Sequence, residues 1–560
     1  MASKPGIWYS IPEWYGIQQQ IDGTLLPVTS AYDARNMETG DGNLSVAKGF
    51  TKFIDTPFTI GSSNRVKRLI VTKGSNNVYI VTKSYILSWN AGDERWEDIY
   101  HFENDITSKQ VDVLETRIGI DDVILIATGS SQMVKIYTSN NTADTFGAGL
   151  YSYDGTVTAF DPNTAVMTVN PALSSEAKRR AIAYGIIYGD GIYADVYAIN
   201  EAGTEITLEA ALVSPPTAND HVTVRGGGSD ESVAYTELYS NRLFAAGDYA
   251  APYRLYWSAV PGDGRTIEDW LSVDGSIDAS GGYVEVGDGS ADPIIGLTAL
   301  SNQLLIWKRY SVWRLYGDRP SNYTLERIDK SSDIMSNAGV IVKYDAPYLL
   351  MPTGIHTYNN VSVVPVDGGV KPLRRFFDAK PDVSNSRGAF CDNRIYMTCR
   401  VGETTSGYDN AIIVLDLARN SYMVRDGFEV ADLAAVGSSI YLVTGNGYVY
   451  KFEQGTSYDG QPINAYWLTQ PTDFGRKMNR HQAMALYAHI TGDPAKVTVI
   501  GDYLTSSKAL TPLTARAGYT MLHFQTDRQY FIQYKFENIN GGAFTFHGGI
   551  NLYAISEMEG

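Results

Sequence analysis

One phrase returns along this chain: a short apolar run, a tight turn, and a second run ending in aromatic residues. Leu304-Leu305-Ile306-Trp307 turns through Arg309-Tyr310-Ser311 into Val312-Trp313-Arg314-Leu315-Tyr316. Tyr348-Leu349-Leu350-Met351 turns through Pro352-Thr353-Gly354 into Ile355-His356-Thr357-Tyr358. Ile440-Tyr441-Leu442-Val443 turns through Gly445-Asn446 into Gly447-Tyr448-Val449-Tyr450. Each phrase reads as an antiparallel hairpin. Starts near Asn77, Asp122, Asn302, Pro347, Arg394 and Ser439 lie mostly about 45 residues apart, the length of a four-stranded propeller blade. Hairpins near 78, 123, 242, 303, 347, 394 and 440 give seven units. The expected fold is therefore all-β, a propeller of about seven blades with six to eight compatible.

Composition agrees with β structure. Tyr occurs 39 times and Gly 53 times, suiting strands and many turns. The formal net charge is −17. Its densest basic stretches, Arg65-Val66-Lys67-Arg68 and Lys178-Arg179-Arg180, are too short for a nucleic-acid clamp. Cys391 and Cys399 flank a strand-like segment, and an extended run holds them too far apart for a disulfide. Met-Ala-Ser-Lys-Pro-Gly at the start lacks the apolar region of a signal peptide, and no stretch approaches a membrane span, so no membrane insertion is expected.

The rhythm divides the chain. Residues 1–60 read as a lead-in with ring-closing strands, 61–137 as the first part of the propeller, and 233–453 as its second part. Between them, 138–232 lacks the phrase and reads as an inserted, mainly β domain. It contains one short helix at Ser174-Ser175-Glu176-Ala177-Lys178-Arg179-Arg180, where serine supplies the N-cap oxygen. Residues 454–560 form a last β-rich region, either a small sandwich or strands that help close the ring.

Few residues are arranged for chemistry. The seven histidines form no metal-binding spacing, and neither a nucleophile elbow nor a phosphate loop is present. No cofactor, metal or catalytic residue is expected. Gly287-Asp288-Gly289-Ser290-Ala291-Asp292 has oxygen donors at short spacing but lacks the downstream bidentate Glu of a calcium loop. Trp307, Trp313 and Tyr316 could stack on sugars or bases, but such residues more often fill the space between blades.

Four phrases follow one another in order. The first is Ala34-Arg35-Asn36 through Asp41-Gly42 to Lys48-Gly49-Phe50, and the second is Asn241-Arg242-Leu243-Phe244 followed by Leu255-Tyr256-Trp257-Ser258. The third is Gly296-Leu297-Thr298-Ala299-Leu300 with Leu304-Leu305-Ile306-Trp307 and Val312-Trp313-Arg314-Leu315, and the fourth is Gly354-Ile355-His356-Thr357-Tyr358. Together they resemble the tail nozzle and tail-hub propellers of short-tailed bacteriophages, the tail tubular protein B type. The resemblance covers about residues 20–130 and 235–455. It implies structural roles for Arg35, Asn36, Asp41, Gly42, Gly49, Phe50, Asn241, Arg242 and Gly354.

The resemblance further implies a virion tail protein made in the host cytoplasm that self-assembles into a ring, expected to be a hexamer. Such a ring continues the DNA channel, retains packaged DNA, opens for ejection, and contacts a tail adaptor and tail fibres or spikes. Double-stranded DNA would pass its lumen without specific binding, and an acidic lining would repel it. Asp288 and Asp292 are the acidic candidates for that lining. The alternative expectation is a carbohydrate-binding or carbohydrate-cleaving propeller, a receptor-binding protein or depolymerase.

Overall fold

The computed structural model describes residues 6–558 apart from 21–24, 59–64, 74–76, 103, 108–110, 148–150, 190, 210–213, 226–231, 263–264, 271–275, 288–291, 330–335, 369–370, 503–505 and 517. The protein is an all-β propeller with an inserted β domain and a terminal sandwich. Six four-stranded antiparallel meanders span 66–101, 112–145, 235–285, 294–329, 341–365 and 388–430. A seventh takes three strands from 432–452 and its fourth from Phe50–Ile54.

Turn chemistry explains the meanders. The first two strands of three blades are joined by two-residue turns in which both residues have positive φ: Ser240-Asn241, Tyr344-Asp345 and Asp392-Asn393. That conformation matches strand twist and favours Asn and Asp. Asn241 of the sequence signature is such a turn residue, at φ 60°. Gly354, at φ 138°, opens its strand in a conformation that disfavours side chains. The second strands of the blades are mostly buried, and wholly so in Arg242–Ala246 and Gln303–Lys308. Trp307 is fully buried there and donates to Thr298 Oγ1 at 2.9 Å.

The chain divides into two compact units: residues 1–82, 89–96 and 333–560 form one, and 83–88 and 97–332 the other. The second unit holds the insert, a seven-stranded sheet covered by the helix Ser175–Tyr184. Ser174 caps this helix, its side chain accepting from the Ala177 amide. The insert is held by charge: Arg180 on the helix pairs with Asp269, both buried. The adjacent Glu268 accepts from Lys135 Nζ at 2.9 Å, so two consecutive acids anchor two different elements.

The first unit holds the sandwich. One six-stranded sheet contains Gly6–Ile11, Met37–Gly40, Asn43–Val46, Asn479–Gly492, Thr520–His523 and Phe544–Met558. The other contains Gly16–Ile17, Ser30–Arg35, Tyr466–Thr469, Ala495–Gly501, Ser506–Ala509 and Ile532–Asn538. The described strands from Gly6 to Val46 thus belong to the sandwich, and among the described residues of the lead-in Phe50–Ile54 alone closes a blade. Trp14 sits in the core against Trp467, Phe536 and Phe546, with centroids 5.4, 6.0 and 5.9 Å away. Its indole donates to the Gly548 carbonyl at 2.8 Å. Cys391 and Cys399 are buried and free.

Candidate functional site

The N-terminal signature residues converge on one junction in the first unit. Asn36 links the strand Ser30–Arg35 of one sandwich sheet to Met37–Gly40 of the other, in left-handed backbone at φ 53°. It is 1 % exposed. Its side-chain amide donates to Asp426 Oδ1 at 2.9 Å and to the Asn464 carbonyl at 2.8 Å. Its side-chain oxygen accepts from the Asp426 amide at 2.9 Å and from Tyr458 Oη at 3.0 Å. One side chain therefore ties the sandwich strands to blade strand Ser421–Val430 and to the chain leaving the last blade. Asn suits this position because it tolerates positive φ and offers two donors and two acceptor sites.

Its neighbours extend the junction. Arg35 pairs with Asp33 at 2.9 Å and Asp426 at 3.2 Å, and lies over the Phe376 ring. Burial raises the Asp426 pKa against the pull of Arg35 and the Asn36 amide. Asp41 and Gly42 form the left-handed turn between Met37–Gly40 and Asn43–Val46. Gly49 packs so closely on the last blade that a Cβ would lie 1.9 Å from the Ser457 carbonyl. Phe50 follows, stacking on Tyr458 at 5.1 Å and meeting Tyr450 and Phe428.

Beside this junction opens a cleft of about 460 Å³, lined by Glu38, Lys48, Arg394, Asp416, Lys451 and Glu453 among others. Glu38 binds Arg394 at 2.7 Å, and its second oxygen lies 3.6 Å from Arg425 Nη2. The same nitrogen is 3.6 Å from Glu453 Oε1. Burial would push Glu38 up, but Arg425 and Arg394 outweigh it and hold the pKa below the ordinary value. Burial wins at Glu453 and raises its pKa despite Arg425. Glu453 also has a left-handed backbone, at φ 58°.

Two carboxyls with opposed shifts are the pattern of an acid–base pair. Here, however, Arg425 lies between them and Arg394 grips Glu38, so the arrangement is a brace across four segments of the chain. The sequence patterns singled out none of Glu38, Arg425 and Glu453. The signal was weak, because Arg425 and Glu453 each stand near other charged residues, Asp426 and Lys451, in the sequence.

The remaining signature residue with a charge, Arg242, is fully buried in the second unit. It donates to the carbonyls of Ser258 at 2.5 Å, Ser280 at 2.7 Å and Asp278. It thereby fixes the long connection within blade 235–285. Asp288 lies outside the described residues. Asp292 is a correction: it is buried, with its carboxylate accepting from the Tyr310 amide at 2.7 Å and Ser311 Oγ at 2.6 Å. It holds the 308–312 turn and offers no free charge to a lumen. Among the described residues, no group of three or more His, Cys, Asp or Glu side chains could hold a metal ion, and no helix is long and apolar enough to cross a membrane.

No family model matches the chain, and no curated protein matches it. Among solved structures it is similar to BamB from Moraxella catarrhalis at 10 % identity and a TM-score of 0.33, over 72 % of this chain and 97 % of that one. A chain of the mitotic checkpoint complex gives 11 % identity and a TM-score of 0.34, over 75 % and 93 %. AztD from Citrobacter koseri gives 12 % and 0.31, over 72 % and 97 %.

Proposed function

We propose that this chain is a structural subunit of a virion tail, a nozzle or hub. Copies of it form a ring, expected to be sixfold, that continues the DNA channel, retains packaged DNA and opens for ejection. The adaptor above it and fibres or spikes beside it are its partners. The observation that supports this reading is the junction at Asn36. The N-terminal residues that carry the resemblance brace a sandwich against neighbouring blades, the stiffening that a load-bearing conduit wall needs. A net charge of −17 per copy also suits a channel through which a polyanion must slide without adhering.

Light scattering on the purified chain tests this. A particle several times the 61.5 kDa of one chain supports it. A monomer that degrades or binds host polysaccharide supports the carbohydrate reading instead. One observation favours that second reading. On the first sandwich sheet, Trp8 is 55 % exposed beside Tyr553 at 5.0 Å, and Tyr519 is 59 % exposed and stacked on Tyr487 at 4.8 Å. Exposed rings of this kind can stack on sugars.

A further inference from the structure

A second feature of the first unit is independent of ring assembly. Two adjoining clefts, of about 620 and 580 Å³, share Thr405, Gly427, Phe428 and Glu429 as a common wall, and are together called the groove below. The shared stretch is a bulge. Asp409 pairs with Val430 and Ala411 with Asp426, so Gly427, Phe428 and Glu429 all stand opposite the single residue Asn410. Gly427 has φ 93°, which permits the excursion. Bulges re-aim side chains and are enriched beside functional sites. This one sets Phe428 at the meeting point of the two clefts, with Phe50 and Tyr458 behind it at 5.3 and 4.6 Å.

The charges along the groove are uneven. Its lining carries Glu403, Asp426, Glu429 and Asp459 against Arg35 alone, four acids to one base, or a net −3. Asp426 is engaged by Arg35 and Asp459 lies 3.7 Å from Lys52. Glu403 is exposed and Glu429 half-buried. A groove with an aromatic wall and carboxylates on its rim complements a cation that can lie over a ring while a carboxylate accepts its hydrogen bonds. Lys52 already does this nearby, 4.2 Å from the Tyr448 centroid and 3.7 Å from Asp459.

We propose that this groove docks an extended segment of a partner protein rich in Arg or Lys, with a basic side chain seated on Phe428 between Glu403 and Glu429. Two clefts side by side give room for consecutive side chains of one segment, and their negative lining selects for basic residues and against acidic ones.

The test is fluorescence anisotropy with the full chain and a labelled hexapeptide of alternating Arg and Ser. An alternating Glu and Ser hexapeptide and a neutral hexasaccharide serve as competitors. Because any acidic protein attracts basic peptides, the decisive comparison is between two charge-matched double variants. Glu403→Gln with Glu429→Gln removes two charges at the groove, and Glu201→Gln with Glu205→Gln removes two from the exposed edge of the insert. The expected result is at least a tenfold loss of affinity for the first pair, less than twofold for the second, and unchanged melting temperatures for both. Equal loss in both pairs, absence of binding, or displacement of the peptide by the hexasaccharide would overturn the proposal.

Discussion

Replacing Asn36 perturbs the junction most sharply. Its four side-chain hydrogen bonds comprise one to the Asp426 carboxylate and three to neutral groups. A neutral bond contributes about 1 kcal/mol and one to a charged group about 2 kcal/mol. Left-handed backbone costs a residue such as Ala about 1 kcal/mol more than Asn or Gly. Asn36→Ala therefore has a ceiling of about 6 kcal/mol, and sharing within one network lowers the expectation to about 3–6 kcal/mol. Asn36→Gly removes the same bonds but keeps the backbone relaxed, so it should be about 1 kcal/mol less damaging than Ala. Urea unfolding followed by tryptophan fluorescence reads the effect, since Trp14 and Trp467 are fully buried in the sandwich core. If Asn36→Ala shifts stability by less than about 1 kcal/mol, the hydrogen-bonded hub is not what holds the sandwich to the blades.

Three other outcomes follow. Asp269→Ala leaves Arg180 buried without its carboxylate and should cost about 3–5 kcal/mol, while Arg180→Met with Asp269→Leu should recover most of that loss; protease sensitivity of the insert measures both. Asp409 is buried and its pKa is pushed up to about 6. Its neutral form is thus favoured by folding, and stability falls as pH rises from about 4, the unfolded value, to about 6. Asp409→Asn should match wild type near pH 4 and exceed it by up to about 3 kcal/mol at pH 7.5, and a variant less stable than wild type at pH 7.5 would contradict this. Gly49→Ala drives a methyl into the Ser457 carbonyl and should cost about 1–3 kcal/mol, seen as faster hydrogen exchange along Phe50–Ile54.

Much of the propeller was legible because its information is local. The runs around 304–316 and 348–358 became paired strands since apolar periodicity and two-residue turns act over a dozen residues. The sandwich was not legible in the same way. Gly6–Ile11 pairs with Phe544–Met558, more than 500 residues away, and an alternating strand does not name its partner. The roles of Asn36 and Arg242 were visible as motif members but not as hubs, because their partners are mostly backbone groups brought close only by the fold. Asp292 misled for a related reason. An acidic residue in a Gly-Asp-rich stretch looks solvent-facing, yet its carboxylate was needed to satisfy turn donors.

Single-particle imaging of the purified full-length chain tests the tail-ring reading most directly. Closed rings of several propeller copies around an open channel, six in number, are expected. Isolated monomers at every concentration, with polysaccharide cleaved or bound in the groove beside Phe428 or on the sandwich face at Trp8, would contradict it.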